Sequence, residues 1–377
     1  MQSLALTARL DGFREALGKA AAIKPQIVIV FAAPSFWNDT GAVSEACAPL
    51  QGTHLIGCST AGQISAHGAS DDNCSILAMR FDTAQVKIAA AQLAVPGESR
   101  AAGQAIGDAL KESSLRGIFA LAPGLTVDGS AFAAGIAAAA GEKVVIAGGL
   151  AGDGLNFKST CTMLNGMVFP NFAVAFGLYG DSVRMTSSSR CGWKPFGLTR
   201  RVTKSAANVL YELDGKPALE LYRKYAGEQA ALPAGGLLYP FSLLREDGRD
   251  TGLVRSVLAV NAADGSMTLA GQVPQGSLVR LMYADPDALV TSAATAVREA
   301  ANGHTGASAT LLVNCAGRRL AMGDDANAEI DAVIQSAGAD SALAGFYSYG
   351  EILSLAGSAR ADVQNQSMSV THIAEGA

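Results

Sequence analysis

Short, almost entirely apolar segments recur along this chain and are typical of strands that are buried on both faces. Such segments lie at 27–31, 117–122 and 309–314. Each is followed by a loop, a helical stretch and a second short apolar segment that runs into a glycine-bounded turn. The interval from the first segment to the turn is roughly 30 to 36 residues in all three cases, about the size of a β-loop-α-β unit. The pattern predicts one supersecondary unit that is used three times.

The residues between these segments predict most of the remaining elements. An Asn-Gly pair predicts the tip of a hairpin over 163–168. The strands at 74–81 and 86–93 are expected to pair antiparallel with each other, and residues 315–323 are expected to form a loop. Helical spacing and capping signals predict helices at 4–22, 39–50, 99–111, 130–140, 288–302 and 328–336.

The chain changes character near residue 217, which predicts two domains. An Asp-Gly-Lys-Pro turn ends there, and a glycine- and proline-rich stretch at 233–240 follows shortly after. A length of 377 residues also exceeds one ordinary hydrophobic core. We therefore expect domains at 1–217 and 218–377. The predicted fold class is mixed α/β, with mixed sheets flanked by helices and the β-loop-α-β unit recurring about three times.

The three glycine-bounded turns share an outline, which is Gly or Ala, four residues, Gly, and then Gln, Asp or Glu. Glycine at such positions predicts backbone angles or close approaches that a side chain would block. The polar closing residues either converge on a small polar ligand or bind backbone amides of their own turns. The candidate ligand-binding residues are Cys58, Ser59, Thr60, Gln63, Gly149, Asp153, Arg318, Tyr347, Tyr349 and Glu351.

Arginine and cysteine side chains offer further candidate chemistry, each with a structural alternative. Arg318 and Arg319 could bind a carboxylate, for which the guanidinium fork is suited, or pair with Glu329 on the following helix. Cys58 is a candidate nucleophile with His54 as its base. On a strand, however, these two residues lie about 13 Å apart, too far for direct proton transfer. A small buried cysteine is the alternative, since free cysteine is among the most buried residue types.

Composition and charge exclude several classes of function. The chain is 49% hydrophobic and 16% charged, with a net charge of −5, which argues against binding to nucleic acid or to an anionic membrane. No apolar run is long enough for a membrane span, and no secretory leader is recognisable. The six cysteines contain no CxxC pair and are typical of reduced thiols. A cytoplasmic protein without membrane insertion is expected. There is no phosphate-binding loop and no HExxH motif.

Several blocks along the chain, in a fixed order, carry a resemblance to a known family. Two of them contain the first and second glycine-bounded turns, and another contains the third. The blocks are 56–64 (IGCSTAGQI), 148–153 (GGLAGD), 213–218 (LDGKPA), 255–256 (RS), 315–318 (CAGR), 345–352 (GFYSYGEI) and 365–368 (NQSM).

These blocks resemble the FIST N-terminal and FIST C-terminal domains, and together they cover nearly the whole chain. The resemblance implies a sensory protein of signal transduction that binds small ligands, with amino acids or another small polar metabolite among the expected ligands. It does not imply an enzyme, although a cysteine-dependent enzyme is a weaker alternative. The partner expected from the resemblance is a separate histidine kinase or a cyclic-di-GMP signalling protein. The sequence leaves the oligomeric state open, and this includes a homo-oligomer.

The resemblance also extends to stand-alone bacterial FIST proteins that bind haem and sense nitric oxide. It therefore implies haem as a cofactor, although no residue motif in this chain announces it. Histidine and cysteine are the side chains that ligate haem iron in many proteins. The candidate iron ligands are His54, His67, His304, His372 and Cys58.

Overall fold

The computed structural model of the chain describes residues 1–227, 234–354 and 360–376. The chain begins with a structural repeat. Its order is a first strand, a helix, two parallel strands joined by a second helix, a hairpin and a last strand. The elements are β1 (Gln2–Ala8), α1 (Phe13–Ala21), β2 (Ile27–Ala32), α2 (Thr40–Ala46), β3 (His54–Ser59), β4 (Gln63–Ser65), β5 (Gly68–Ser70) and β6 (Cys74–Arg80).

A second repeat follows with the same order of elements. Its helices are amphipathic or alanine-rich and pack against each other on the outside of the sheet. The elements are β7 (Gln85–Gln92), α3 (Ser99–Leu110), β8 (Leu115–Ala122), α4 (Gly129–Ala140), β9 (Val145–Leu150), β10 (Thr162–Leu164), β11 (Met167–Phe169) and β12 (Phe172–Tyr179).

The first strand of the third repeat, β13 (Val183–Arg190), is followed by an inserted domain that occupies residues 194–283. The insert is built around an antiparallel sheet with its own apolar core. Its elements are β14 (Lys194–Ala206), β15 (Val209–Leu213), β16 (Lys216–Pro217), α5 (Ala218–Ala226), β17 (Phe241–Leu244), β18 (Asp250–Arg255), β19 (Val257–Asn261), β20 (Ser266–Leu269) and β21 (Leu278–Tyr283).

The third repeat resumes after the insert and runs to the end of the described chain. Since β13 pairs with the last strand of this repeat, a cut at residue 217 separates two strands of one sheet. The elements are α6 (Pro286–Ala301), β22 (Ser308–Cys315), α7 (Ala316–Met322), α8 (Ala326–Ala337), β23 (Ser341–Ser348), β24 (Gly350–Ser354), β25 (Ala361–Gln364) and β26 (Met368–Glu375).

The three repeats exchange hairpins in a ring. In each repeat the parallel pair (β2–β3, β8–β9 or β22–β23) is flanked by the antiparallel last strand and then by the first strand. The hairpin after the third strand leaves its own repeat. Hairpin β4–β5 pairs with β23, β10–β11 pairs with β3, and β24–β25 pairs with β9. Each six-stranded sheet therefore contains four strands of one repeat and a hairpin of another.

The architecture confirms the predicted mixed α/β class with a unit that recurs three times, and it corrects three predicted elements. Residues 2–8 form β1 and not the start of a helix, because they pair along their whole length with β6. Strands β6 and β7 belong to different sheets and do not pair. The turn between them is held by Glu375, whose carboxylate accepts the backbone N–H groups of Asp82, Thr83 and Ala84 at 2.6–2.7 Å. The predicted loop at 315–323 contains α7.

One apolar core lies between the inner faces of the three repeat sheets. Phe31 of the first repeat stacks on Phe346 of the third, with 4.5 Å between ring centroids, and Phe119 stacks on Phe176 in the second. All four rings are fully buried. Packing between sheets thus joins the repeats in addition to the exchanged hairpins. Within the described ranges, no helix has the length and apolar character needed to cross a bilayer.

Glycines inside the third strands allow the parallel pairs to approach closely. A Cβ atom on Gly57 would lie 2.4 Å from the carbonyl oxygen of Val30, and one on Gly345 would lie 2.4 Å from that of Leu312. Both distances are below any normal carbon–oxygen contact, and the obstructing atom is backbone that pairs in a sheet. The glycine required by the turn outline therefore serves the strand pairing.

We predict that Gly345→Ala lowers the free energy of unfolding by about 2–3 kcal/mol or more, because the new methyl group forces the parallel strands apart. The matched control is Gly18→Ala in the exposed face of α1, where a Cβ meets no atom within 4 Å. That control should raise stability by about 1 kcal/mol through helix propensity. Urea denaturation followed by circular dichroism measures both. A Gly345→Ala variant as stable as the wild type would contradict the close-approach account.

Candidate functional site

The three glycine-bounded turns meet at the carboxyl ends of the parallel strand pairs. The first and third turns exchange backbone hydrogen bonds, since the Ala61 N–H donates to the Tyr347 carbonyl and the Tyr347 N–H donates to the Gly62 carbonyl, both at 2.8 Å. The first and second turns are joined by the Gly152 N–H, which donates to the Ser59 carbonyl at 3.0 Å. The third turn is joined to the second by the Tyr349 N–H, which donates to the Leu150 carbonyl at 3.1 Å. The sequence outline therefore marks three turns that are neighbours in space.

The three residues that close these turns bind their own surroundings. The Asp153 carboxylate accepts the backbone N–H groups of residues 157, 158 and 159 at 2.8–2.9 Å, together with the Tyr349 hydroxyl. The Gln63 amide contacts the backbone of residues 33, 70 and 73 in the orientation that satisfies both its oxygen and its nitrogen. Glu351 accepts from two serine hydroxyls. All three are at most 3% exposed, so their polar atoms serve the turns.

Most of the other predicted ligand-binding residues are also buried. Ser59 Oγ accepts the Cys161 N–H, and Thr60 Oγ1 lies 2.5 Å from the Gln63 amide. Gly149 packs where a Cβ would collide with the central core. Tyr347 is fully buried beneath the Arg319 guanidinium, which lies 4.8 Å from its ring centroid. Their roles in ligand binding stay predictions.

Arg318 forms the ion pair that the sequence offered as its alternative. Its Nε donates to the Glu329 carboxylate at 2.5 Å, and both side chains are completely buried. Further hydrogen bonds run from Arg318 to the carbonyl oxygens of Cys191 and Leu289. The guanidinium is thus used to anchor α7 against α8 and the start of α6. A carboxylate ligand has no access to it.

Cys58 lies inside the central core with no exposed surface. Burial raises the pKa of its thiol well above the usual value, with a smaller contribution from Cys161. A protonated, inaccessible thiol is a poor nucleophile and a poor ligand for metal. This environment favours the structural interpretation of the residue.

The four histidines are dispersed over the molecule. His54 begins β3, at the opposite end of that strand from the turn, and His67 is exposed between β4 and β5. His304 and His372 pack together with 5.5 Å between ring centroids. Burial, followed by repulsion from His304 and Arg184, lowers the pKa of His372 to about 4. Among the described residues, no group of three or more His, Cys, Asp or Glu side chains could hold a metal ion.

A cleft lies between the inserted domain and the turns of the second and third repeats. It consists of a narrow cavity of about 80 Å³ and a wide cavity of about 410 Å³. The two cavities share part of their walls, and we call them together the interdomain cleft. The shared wall residues are Gly124, Leu125, Leu258, Ala270, Tyr349 and Asn365.

Both domains contribute polar and apolar groups to this cleft. The insert supplies Leu258 and Ser256, while the repeats supply Asn365, Cys315 and Tyr349. Tyr349 is thus the predicted site residue that lines both cavities, and its ring stacks on that of Phe157 at 4.8 Å. The wide cavity adds Asp128, Asn208 and Gln272. Apolar walls with a few placed polar groups are typical of small-molecule sites.

Residue-by-residue reasoning from the sequence missed most of the cleft. Ser256, Cys315 and Asn365 all stand in blocks that carried the family resemblance, so a signal for them existed. They were not singled out because the two walls of the cleft come from strands far apart in the chain. Only the placement of the insert brings them together.

A second, larger groove of about 740 Å³ lies elsewhere on the surface. It borders Ser354 and Arg360, which stand on either side of residues 355–359. Those five residues lie outside the described ranges, so the volume of the groove does not define a site.

Glu351 is a buried titratable group directly behind the wall of the narrow cavity. It is fully buried and bonded to Ser348, whose side chain belongs to the cavity wall. Burial raises the pKa of Glu351 to about 8, and hydrogen bonds from Ser367 and Ser348 offset only part of the effect. The carboxyl group is therefore protonated in the folded protein at neutral pH and ionised in the unfolded chain.

We predict that this group lowers stability as pH rises. A carboxyl whose pKa is higher in the folded state stabilises the fold most below pH 4.5, and loses that contribution as pH rises through about 8. Between pH 5 and 8 the wild type should thus lose a few kcal/mol relative to Glu351→Gln. Denaturation at several pH values measures this difference.

The matched control for this prediction is Glu375→Gln. Backbone N–H donors hold the pKa of Glu375 at about 2, so its contribution changes only in acid. Its effect on stability should be constant between pH 5 and 7, where the Met1 amino group 3.5 Å from its carboxylate stays charged. If the stability of the wild type and that of Glu351→Gln change in parallel with pH, Glu351 is ionised in the folded protein. That result would overturn the raised pKa assigned to Glu351.

Comparison with known families gives two matches that together span most of the chain. The FIST N domain model matches residues 26–216, and the FIST C domain model matches residues 218–354. The cleft lies between elements from both matched regions.

Two individual proteins are also similar to parts or all of the chain. An uncharacterized protein of Methanocaldococcus jannaschii is 34% identical over 90 residues, which is 24% of this chain and 17% of that protein. The chain thus spans under a fifth of the length of this relative. A crystal structure of cyanuric acid hydrolase from A. caulinodans aligns over 100% of this chain and 99% of that one, with 9% identity and a TM-score of 0.41. A likeness of that degree carries no argument about activity.

Proposed function

Since the chain belongs to the FIST family, whose domains are ligand-binding sensor modules of signal transduction, we propose that it senses a small molecule held in the interdomain cleft. The observation that carries the proposal is the cleft itself, which is walled by both domains. One of its wall residues, Asn365, carries a buried polar atom without a partner among the described residues. In this role the protein is not an enzyme. It acts in the cytoplasm on a separate signalling protein, for which a histidine kinase or a cyclic-di-GMP protein is the proposed type.

The contacts around the cleft offer a route by which a ligand can alter the position of the insert. On one side Arg255 of the insert donates to the Val363 carbonyl at 3.0 Å, and its guanidinium lies 3.6 Å from the Asp362 carboxylate. On another side Gln366 donates to the Ser256 hydroxyl and the Leu237 carbonyl, both at 2.8 Å. A ligand between these two docking points changes the spacing of the domains, and a partner protein can read that change.

The lining of the cleft favours a small metabolite over haem. Haem needs an axial ligand, usually histidine or cysteine thiolate. None of the four histidines lines the cleft, and burial holds the pKa of the Cys315 thiol at about 12. Tyrosine can also ligate haem iron, but the Tyr349 hydroxyl is bonded to Asp153, and burial raises its pKa. The residues of the cleft therefore do not fit haem. Haem-based sensing of nitric oxide remains a proposal that would require another site.

A hydrolase is the second candidate, and one pair of side chains favours it. Ser348 borders the narrow cavity and donates a hydrogen bond to Glu351 at 2.9 Å, as a nucleophile and its base would. Two properties oppose this function. Ser348 has no exposed surface, and a carboxyl group with a pKa of about 8 is protonated at neutral pH, so it cannot accept the proton. The sensor is therefore the better-supported function.

We predict that small-molecule binding depends on the cleft. A thermal-shift screen of amino acids, amides, amines and haemin provides the binders, and calorimetry measures their Kd. Leu258→Trp fills the shared wall and should weaken each cleft ligand by at least about tenfold, since the indole takes the volume of the ligand. Leu198→Trp is the matched control, because Leu198 lies in the same insert and is 64% exposed.

The same samples separate the candidate functions. Binding that is unchanged in Leu258→Trp, or a stoichiometric haem Soret band as the only signal, would overturn the cleft proposal. Nuclear magnetic resonance spectra of the bound compounds test for turnover. A compound that is recovered intact after prolonged incubation agrees with a sensor, and its hydrolysis would establish the enzyme.

A further inference from the structure

One residue in the wall of the narrow cavity carries a buried hydrogen-bond acceptor that has no donor among the described residues. Asn365 is 2% exposed and lines both cavities, yet its Oδ1 has no hydrogen-bond partner among the described residues. A buried carbonyl oxygen left in this state costs about 1–3 kcal/mol relative to one that is paired. Eleven buried side-chain atoms of the described residues lack a partner, and Asn365 Oδ1 is the one whose residue belongs to the cleft wall. A ligand that supplies a donor would satisfy it.

The Ser256 hydroxyl in the wall of the same cavity offers a hydrogen-bond donor. Ser256 Oγ accepts a hydrogen bond from Gln366 Nε2 at 2.8 Å. The orientation of the Gln366 amide is fixed because the same nitrogen donates to the Leu237 carbonyl. The hydroxyl proton of Ser256 has no acceptor among the described hydrogen bonds, so this residue can donate to a ligand. The cavity thus offers one acceptor and one donor.

The charges around the cleft disfavour an anion. Among the residues that the structure describes, Asp128 is the charged side chain in the lining, which contains no lysine, arginine or histidine. The Asp128 carboxylate also caps the N-terminus of α4 by accepting the Ala131 N–H at 3.0 Å, which offsets the positive end of that helix. The nearest guanidinium, that of Arg255, is occupied by backbone carbonyls and Asp362. A carboxylate or phosphate would be desolvated without a cationic partner.

We propose that the cleft recognises an uncharged group that carries an N–H donor beside a C=O acceptor, as in a carboxamide, a lactam or a urea. The N–H donates to Asn365 Oδ1, and the C=O accepts from the Ser256 hydroxyl. The rest of the ligand lies against Leu125, Leu237 and Leu258. This inference rests on the proposed function, because it names the ligand class of the same site.

The test compares matched pairs of compounds that differ only in this group. Acetamide, isobutyramide and benzamide are titrated against acetate, isobutyrate and benzoate at pH 7, with the full-length protein and ligand-observed magnetic resonance. Each amide should bind at least about tenfold more tightly than its carboxylate. Failure of all three amides to bind more tightly than the carboxylates would overturn the inference.

Variants of the two polar residues assign the contacts. Asn365→Leu removes the acceptor at similar volume and should weaken the amides by about tenfold, while Ser256→Ala should weaken them by roughly fivefold. The control is Asn327→Leu on α8, which loses one exposed hydrogen bond to Ala69 and lies outside the cleft. Asn365→Asp keeps an acceptor oxygen and should retain amide binding, so it covers the case in which Asn365→Leu does not fold.

The outcomes separate this inference from the proposed function. Carboxylates that bind more tightly than amides, and are blocked by Leu258→Trp, would overturn the ligand class and leave the cleft as the site. Amide binding that survives Asn365→Leu and Ser256→Ala would also overturn it. If Leu258→Trp weakens the binding of none of the compounds, both the ligand class and the proposed function are overturned.

Discussion

The exchange of hairpins among three repeats is the constraint on which the rest of the structure depends. No repeat completes its own sheet, because the two strands that finish it come from another repeat. Three such exchanges close a ring, and the inner faces of the sheets bury one common core. The chain crosses from one sheet to the next after each third strand, by a tight turn after β3 and β23 and through the longer segment 151–161 after β9. The glycine-bounded turns provide that crossing.

This constraint explains why the closing residues of the turns bond to groups around their own turns. Each crossing takes backbone out of one sheet before it joins another, so N–H and carbonyl groups near the turn would be buried without partners. Asp153 and Glu351 satisfy several of these groups or neighbouring hydroxyls at once. Three polar side chains with similar positions therefore need not share a ligand. The better candidate for a ligand site is the contact between the repeats and the insert, because the three repeats are not equivalent there.

The sequence predicts the repeated unit well because buried strands and their helices are local signals. It predicts the turns for the same reason. It does not predict that hairpins leave their repeat, since pairing between distant segments has no local signature, and the expected pairing of β6 with β7 was wrong on this account. The cleft was missed because Ser256 and Asn365 are 109 positions apart in the chain and belong to different domains. For Arg318 the sequence allowed both a carboxylate ligand and an ion pair with Glu329. The three-dimensional structure was needed to show the ion pair.

The central claim is that the interdomain cleft holds the ligand of this FIST protein. A crystal structure of the protein with the tightest-binding amide of the matched pairs tests this claim most directly. The account predicts electron density between Leu258 and Asn365, with the ligand nitrogen at hydrogen-bond distance from Asn365 Oδ1. Density for the compound at any other place, with the cleft unchanged, would contradict it.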